Sequence, residues 1–303
     1  MLILLLVAGF FSGIATVFAA TVPLAGTALP HTQITLTNHD ITAYVQDKSS
    51  ATTKPKVSFA QINSKPTVLG DQTVATPSTE KVNSPQKLGK SHYTISLFGD
   101  SMIDTMGKDL PHLTKILKAR FPSTQFTLIN HGTGATNIDN GFAHLTNSYS
   151  YLGETRPAVL EQNPDILVIE SFAYNHWDNT QSDLDRQWTT LAKIVGLVKT
   201  KSPDTKIILA AAIAPFCPTY TDGSANLPQP RKQIECETVK AYLQNVVRFA
   251  QSEGYPLVNA YAASLQGNEG NPKHVNSGDH IHPSDAGKEL FSKLLLSQIE
   301  KIL

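Results

Sequence analysis

From residue 91 onward the chain alternates short apolar runs with helix-patterned stretches, and that alternation leaves few folds open. Residues 94–98 (TISLF), 126–130 (FTLIN), 166–170 (ILVIE), 207–212 (IILAAA) and 257–260 (LVNA) are brief and largely continuous in their apolar character. A strand with one wet face would alternate apolar and polar residues, whereas a continuous run marks a strand buried on both faces. Between the runs, Leu184, Trp188, Leu191, Val195 and Val198 follow spacings of four, three, four and three, which puts all five on one helix face. Leu290, Leu294 and Ile299 are expected to pack inward from a further helix that starts near Ser284. Five such strand–helix units predict one α/β domain over 91–303, built on a doubly wound parallel sheet.

The residues ahead of this domain divide in two. Residues 1–29 carry no charge, and the first twenty are rich in Leu, Ile, Val and Phe. At about 1.5 Å per residue, twenty helical residues span about 30 Å, one bilayer core. A membrane anchor fits, and so does a cleaved secretory signal ending near Val17-Phe18-Ala19, although the usual positive start is missing. A buried core helix would need protein on every side. Either export reading places the domain outside the cytoplasm, secreted or held at the cell surface. Residues 30–90 are rich in Thr, Ser, Pro, Lys and Gln, with Tyr44 and Phe59 the only aromatics. Such a stretch buries too little apolar surface to offset its ordering entropy and reads as a tether.

Two cysteines, Cys217 and Cys236, suit an oxidising compartment, where an even pair is expected to be bridged; two unrelated buried thiols are the alternative. With 25 basic and 25 acidic side chains, the net charge is zero and only 17% of residues are charged. Nothing in that balance draws in nucleic acid.

In a doubly wound sheet, ligands sit beyond the carboxyl ends of the strands, so the residues after each strand carry the chemistry. Ser101 follows the first strand, where a helix N-terminus would aim its dipole and N–H at a ligand. Ser101 also has the spacing of a helix cap, with Asp104 three residues on. Position 103 is Ile, so the G-x-S-x-G elbow of ordinary α/β-hydrolases is absent. A serine nucleophile needs a base, and the base needs an orienting carboxylate. His282 and Asp279, three apart before the last helix, supply both types. His280 and His282 form His-x-His, but with no third ligand evident no metal is expected. Gly132 offers a close backbone N–H and Asn175 a side-chain amide; with the Ser101 N–H these make three donors for an oxyanion. Gly132-Thr133-Gly134 lacks the third glycine of a dinucleotide loop, and no cofactor is expected.

These pieces, in this order and after these strands, resemble the SGNH (GDSL) hydrolase superfamily over about residues 93–303. Its first block matches Gly99-Asp100-Ser101, its second Gly132, its third Asn175, and its fifth Asp279 and His282 followed by Pro283. Two departures stand out. The third block reads Ala173-Tyr174-Asn175-His176 where Gly-x-Asn-Asp is usual, and Gly134 follows Gly132 by two residues rather than three. The resemblance implies a flavodoxin-like three-layer α/β/α sandwich with a five-stranded parallel sheet, and cofactor-free ester hydrolysis or acyl transfer.

In that scheme Ser101 attacks an ester, His282 takes its proton and Asp279 steadies the imidazole. Export suggests an acylated carbohydrate of the envelope or surroundings as partner, with O-acetyl groups the leading substrate. An acyltransferase that passes the acyl group to a sugar hydroxyl would use the same residues. A catalytically idle carbohydrate-binding or wall-anchoring module is the reading from another class. Tyr174, His176 and Trp177 are candidates to stack on a sugar, with ordinary packing the alternative. The proline-rich segment 214–236 is expected to form a rim of the pocket, pinned if Cys217 and Cys236 are joined. A membrane partner enters only through an uncleaved N-terminal segment, and oligomeric state is not legible.

Overall fold

A computed structural model describes residues 88–303. The expected anchor or signal (1–29) and nearly all of the expected tether (30–90) lie outside the described residues. Leu88 is already buried, and Lys90 Nζ reaches Asp165 Oδ1 at 2.6 Å, so packing begins just ahead of residue 91.

In chain order the elements are β1 (His92–Gly99), α1 (Ser101–Asp104), α2 (Pro111–Arg120), β2 (Gln125–Gly132), α3 (Ile138–His144), β3 (Tyr149–Tyr151), β4 (Glu154–Arg156), β5 (Ile166–Glu170), α4 (Gln181–Lys201), β6 (Lys206–Ala211), α5 (Arg231–Glu253), β7 (Leu257–Asn259), α6 (Ala260–Ala263), β8 (Leu265–Gln266), β9 (Glu269–Gly270) and α7 (Asp285–Ile302). Five of the strands form one parallel sheet in the order β2-β1-β5-β6-β7, the flavodoxin-like order in which the winding reverses between β1 and β5. In-register pairs run Gly99↔Gly132, Phe98↔Ile169 and Ile169↔Leu209.

The continuous apolar runs have their expected cause, because successive side chains enter opposite layers. Ile95, Leu97, Ile166, Val168, Ile208 and Ala210 pack with Leu113 and Leu117 of α2 and with Phe291, Leu295 and Ile299 of α7. Phe98, Leu167, Ile169, Ile207 and Leu209 pack with Leu191, Ile194, Val195 and Val198 of α4. Each fully buried Leu, Ile or Phe contributes about 1.5–3 kcal/mol, so both faces of the sheet are locked by their helices. Helix α5 serves both layers, Val239 and Leu243 in one and Val246 and Phe249 in the other.

Two helix expectations shift in detail. On α4 the buried stripe is Leu191, Ile194, Val195 and Val198, while Leu184 and Trp188 are only partly covered, Trp188 standing edge-on to Phe249. On α7 the inward residues are Phe291, Leu295 and Ile299; Leu290 and Leu294 flank that stripe. Phe291 has the larger apolar surface to bury, which sets the rotation of the helix. Residue 260 belongs to α6 rather than to the fifth strand, because Asn259 Oδ1 caps that helix through the Ala262 N–H at 3.0 Å. Two small hairpins, β3–β4 and β8–β9, have no counterpart in the sequence reading. Among the described residues no helix is long and apolar enough to cross a membrane.

Candidate active site

Strand β1 ends at Gly99, and the geometry there tolerates no side chain: a Cβ would lie 2.6 Å from Ile103 Cγ1 and 2.7 Å from Glu170 Cβ. The chain then turns directly into α1. Asp100, not Ser101, is the N-cap, its Oδ1 accepting the Met102 N–H at 2.8 Å. Ser101 is therefore the first residue of the helix and half-buried. Among the described residues no hydrogen bond engages its hydroxyl or its N–H. The capping role that competed with a chemical role for Ser101 thus belongs to its neighbour.

Asn175 comes to this point from the end of β5, the adjacent strand. Its Nδ2 donates one hydrogen to Asp100 Oδ2 at 3.0 Å, and an amide nitrogen carries a second. Gly132, at the end of β2, lies against the backbone of α1, where a Cβ would stand 2.1 Å from Asp104 N. Its N–H is not open, since it donates to Asn130 Oδ1 at 2.8 Å. Asn130 Nδ2 in turn donates to Ile103 O and Gly107 O, tying β2 to α1. The Gly134 N–H is likewise taken, by the Tyr151 hydroxyl at 2.9 Å. Of the three donors expected from the sequence, the Ser101 N–H and the second Asn175 hydrogen are uncommitted, and Gly132 is held by its own strand.

His282 and Asp279 do meet. His282 Nδ1 lies 2.9 Å from Asp279 Oδ2, while Asp279 Oδ1 accepts the N–H groups of Ile281 and His282 at 2.9 and 3.0 Å. Burial alone would raise the Asp279 carboxyl, but these hydrogen bonds outweigh it and hold it below the usual carboxylate range. Pro283 and Gly287, at the start of α7, line one small cavity with Met102 and Ile103 of α1. The His282 turn and the Ser101 helix are thereby neighbours, and His282 acts electrostatically on Asp100.

The same turn is braced from outside. Cys217 and Cys236 are joined in a disulfide, closing the proline-rich segment between them. From that segment the Ser224 hydroxyl donates to Asp279 O at 3.0 Å, Thr219 Oγ1 lies 2.8 Å from His280 Nδ1, and Gly223 packs on Gly278. His280 is thus turned toward Thr219 and away from His282. Among the described residues the one trio spaced for a metal is Cys217, Cys236 and Glu269, and its two sulfurs are bonded to each other.

The three candidate stacking residues are committed elsewhere. The Tyr174 hydroxyl donates to Ile213 O at 3.0 Å and its ring tilts against Tyr220. His176 Nε2 lies 3.5 Å from Glu235 Oε2, and the Arg186 guanidinium sits 3.9 Å from the centre of the Trp177 ring. They form an inner wall that joins β5 to α5 and α4.

Residues given no role by the sequence reading also shape the site. Asp100 was visible in the first block, but only its cap geometry reveals its work. Tyr151 and Arg156 come from the β3–β4 hairpin: the Tyr151 hydroxyl donates to Asp104 Oδ2 at 2.8 Å, and Arg156 Nη1 donates to Gly132 O at 2.7 Å. The sequence signal available was Gly153, a turn-forming residue between Tyr149-Ser150-Tyr151 and Glu154-Thr155-Arg156; in the structure Leu152 and Gly153 both take positive φ.

Residues 97–290 match the GDSL-like lipase/acylhydrolase family. The chain belongs to that family. It is accordingly a carboxylic ester hydrolase of the SGNH type. Its fold is similar to that of a GDSL-like lipase from Bacteroides thetaiotaomicron (16% identity, TM-score 0.50, covering 70% of this chain and 89% of that one). It is equally similar to a lipase/acylhydrolase from Enterococcus faecalis (18% identity, TM-score 0.50, covering 69% and 96%). No curated protein sequence gave a match to this SGNH hydrolase.

Proposed function

We propose that this hydrolase is an exported serine esterase that removes acyl groups, O-acetyl foremost, from envelope or extracellular carbohydrate. The observation that carries the chemistry is the 2.9 Å His282–Asp279 contact on a turn adjoining the helix that Ser101 begins. Ser101 Oγ attacks the ester carbonyl as its proton passes to His282 Nε2, and Asp279 holds the other ring nitrogen and balances the imidazolium. The Ser101 N–H and Asn175 Nδ2 face the oxyanion. As the tetrahedral species collapses, the ester C–O bond breaks and the leaving alcohol takes the proton from His282. Water then adds to the acyl-enzyme with His282 again as base, and the acid departs as Ser101 regains its proton.

A cleft of about 500 Å³ supports a carbohydrate rather than a long acyl chain as the bulk of the substrate. Asp104, on the short helix that Ser101 begins, lines it together with Lys108, Asp109, Glu154 and Arg156, groups suited to sugar hydroxyls. The uncharged segment 1–29 supports export.

The test compares the full chain with Ser101→Ala on p-nitrophenyl acetate and on an acetylated oligosaccharide, with and without an unacetylated acceptor. Serine-dependent acetate release from both esters is expected. Acetate appearing on the acceptor would replace the hydrolase reading by the transferase one, and equal release by Ser101→Ala would remove the serine mechanism.

A further inference from the structure

Glu170 is a charged residue type at the end of an otherwise apolar strand, it is fully buried, and among the described residues no cation is among the groups acting on it. Its side chain lies beside the Ser101 turn, where only glycine at position 99 leaves room: a Cβ there would stand 3.0 Å from Glu170 Oε2. Asp100, the residue after that glycine, is also fully buried, and the Asp100 and Glu170 carboxyls act on each other as close neighbours. Two ionised carboxylates have only acceptors to offer and repel, so a buried neighbouring pair can join only through a proton on one of them.

The surrounding donors say which. Asp100 accepts the Met102 N–H at Oδ1 and the Asn175 amide at Oδ2, and it also feels His282, all of which favour its charged form. Glu170 accepts the Ser171 hydroxyl and the Phe172 N–H at 2.8 Å but has the Asp100 charge beside it.

We propose that Glu170 is a positioning residue of the esterase site, whose carboxylic proton bridges to Asp100 so that this one-proton pair fixes both the Ser101 turn and the Asn175 amide. The inference rests on the roles given above to Ser101 and Asn175. Burial, then the Asp100 charge, pushes Glu170 well above the usual carboxyl range, and burial raises Asp100 as well. The other titratable groups facing the pair are Tyr174 from the turn after β5, Tyr220 from the disulfide-closed segment and His282 from the turn before α7. Burial raises both phenols, so neither ionises first. In alkali Glu170 loses its proton, the carboxylates repel, and the Asn175 amide is released.

The test uses the full chain and p-nitrophenyl acetate. Glu170→Ala is expected to lower kcat about 100-fold through misplacement of the donors. Glu170→Gln, a neutral donor of the same shape, should recover to within about fivefold of the parent and lose the parent's alkaline fall in kcat. Infrared spectra of chain labelled with ¹³C at the glutamate carboxyls should contain a protonated-acid carbonyl stretch at pH 7. That band should persist in Ser101→Ala, so it reads the pair independently of turnover and without a Glu170 variant that folds. A spectrum with no protonated glutamate at pH 7, or a folded Glu170→Gln as impaired as Glu170→Ala, would overturn the proposal. Full activity of Ser101→Ala with the band intact would instead overturn the serine mechanism alone.

Discussion

Thr219 Oγ1 lies 2.8 Å from His280 Nδ1, which joins the disulfide-closed segment to the turn bearing Asp279 and His282. With that bond gone, the turn keeps its internal hydrogen bonds but loses an outside anchor. Thr219→Val is expected to lower kcat by about tenfold with thermal stability nearly unchanged, since small misplacements of catalytic groups cost rate steeply. Steady-state kinetics beside a melting curve checks this; equal kcat would show that the brace is idle.

The disulfide acts on the same segment from its ends. Cys217 and Cys236 are separated by 19 residues, for which the chain-entropy argument gives about 3 kcal/mol of stabilisation. Replacing both by Ser should lower the urea midpoint accordingly and reduce esterase activity. Unchanged kinetics on every ester tested would mean that the segment holds its place without the crosslink.

Glycines at two positions should respond in opposite directions. In Gly132→Ala the new Cβ meets the Asp104 backbone at 2.1 Å, so α1 must move and Ser101 with it; a loss of about 1–3 kcal/mol and a collapse of kcat are expected. In Gly196→Ala the space is open on the surface of α4, and about 0.5–1 kcal/mol of stabilisation follows from helix propensity. Chemical denaturation of both variants decides the matter.

Two groups make acid weaken the domain, against buried Glu170 and Asp100, whose raised carboxyls act in the opposite sense. His131 is buried, and burial followed by the nearby Arg156 lowers its ring to about 4. Because the unfolded chain takes up that proton near 6.5, the contribution is present above 6.5 and lost as pH falls toward 4, up to about 3 kcal/mol. Asp279, held below its ordinary value, likewise stabilises above the unfolded carboxyl range and stops doing so as pH falls through its folded value. Melting temperatures at pH 7 and pH 4.5 should differ less in His131→Gln than in the parent.

The reacting residues should behave as a unit. Ser101→Ala and His282→Ala are each expected to remove nearly all turnover, and the double variant to be no worse than either, because members of such a unit are not additive. Asp279→Asn should fold and still lower kcat by about 10⁴. Single-turnover measurements on p-nitrophenyl acetate would reveal a misassigned member as a variant that keeps its burst.

The sheet was legible because burial on both faces forces continuous apolar runs, as in residues 166–170, and order follows from strands joined by helices. The meeting of Asp279 with His282 was legible because three residues in a turn suffice to bring them together. What stayed hidden depends on groups far apart in sequence. That Arg156 reaches Gly132 O, or that the Tyr174 hydroxyl is spent on Ile213 O, requires knowing which backbone passes by. The rotation of α7 was missed for a related reason: Leu290 and Phe291 are both apolar, and only the shape of the opposing layer selects Phe291. Glu170 carried a readable sign, a carboxyl inside a buried strand, but its partner Asp100 lies on the neighbouring strand's exit.

Strand β1 opens the sheet and α7 closes it, so the proposed nucleophile is made early and its base late. A ribosome must deliver nearly the whole domain before His282 can approach Ser101, and the strand that presents Ser101 is paired on both sides by then. A growing chain therefore carries no assembled Ser101–His282 pair during synthesis. On the proposed mechanism hydrolysis begins only when folding finishes, and the order of the elements doubles as a timer on the activity.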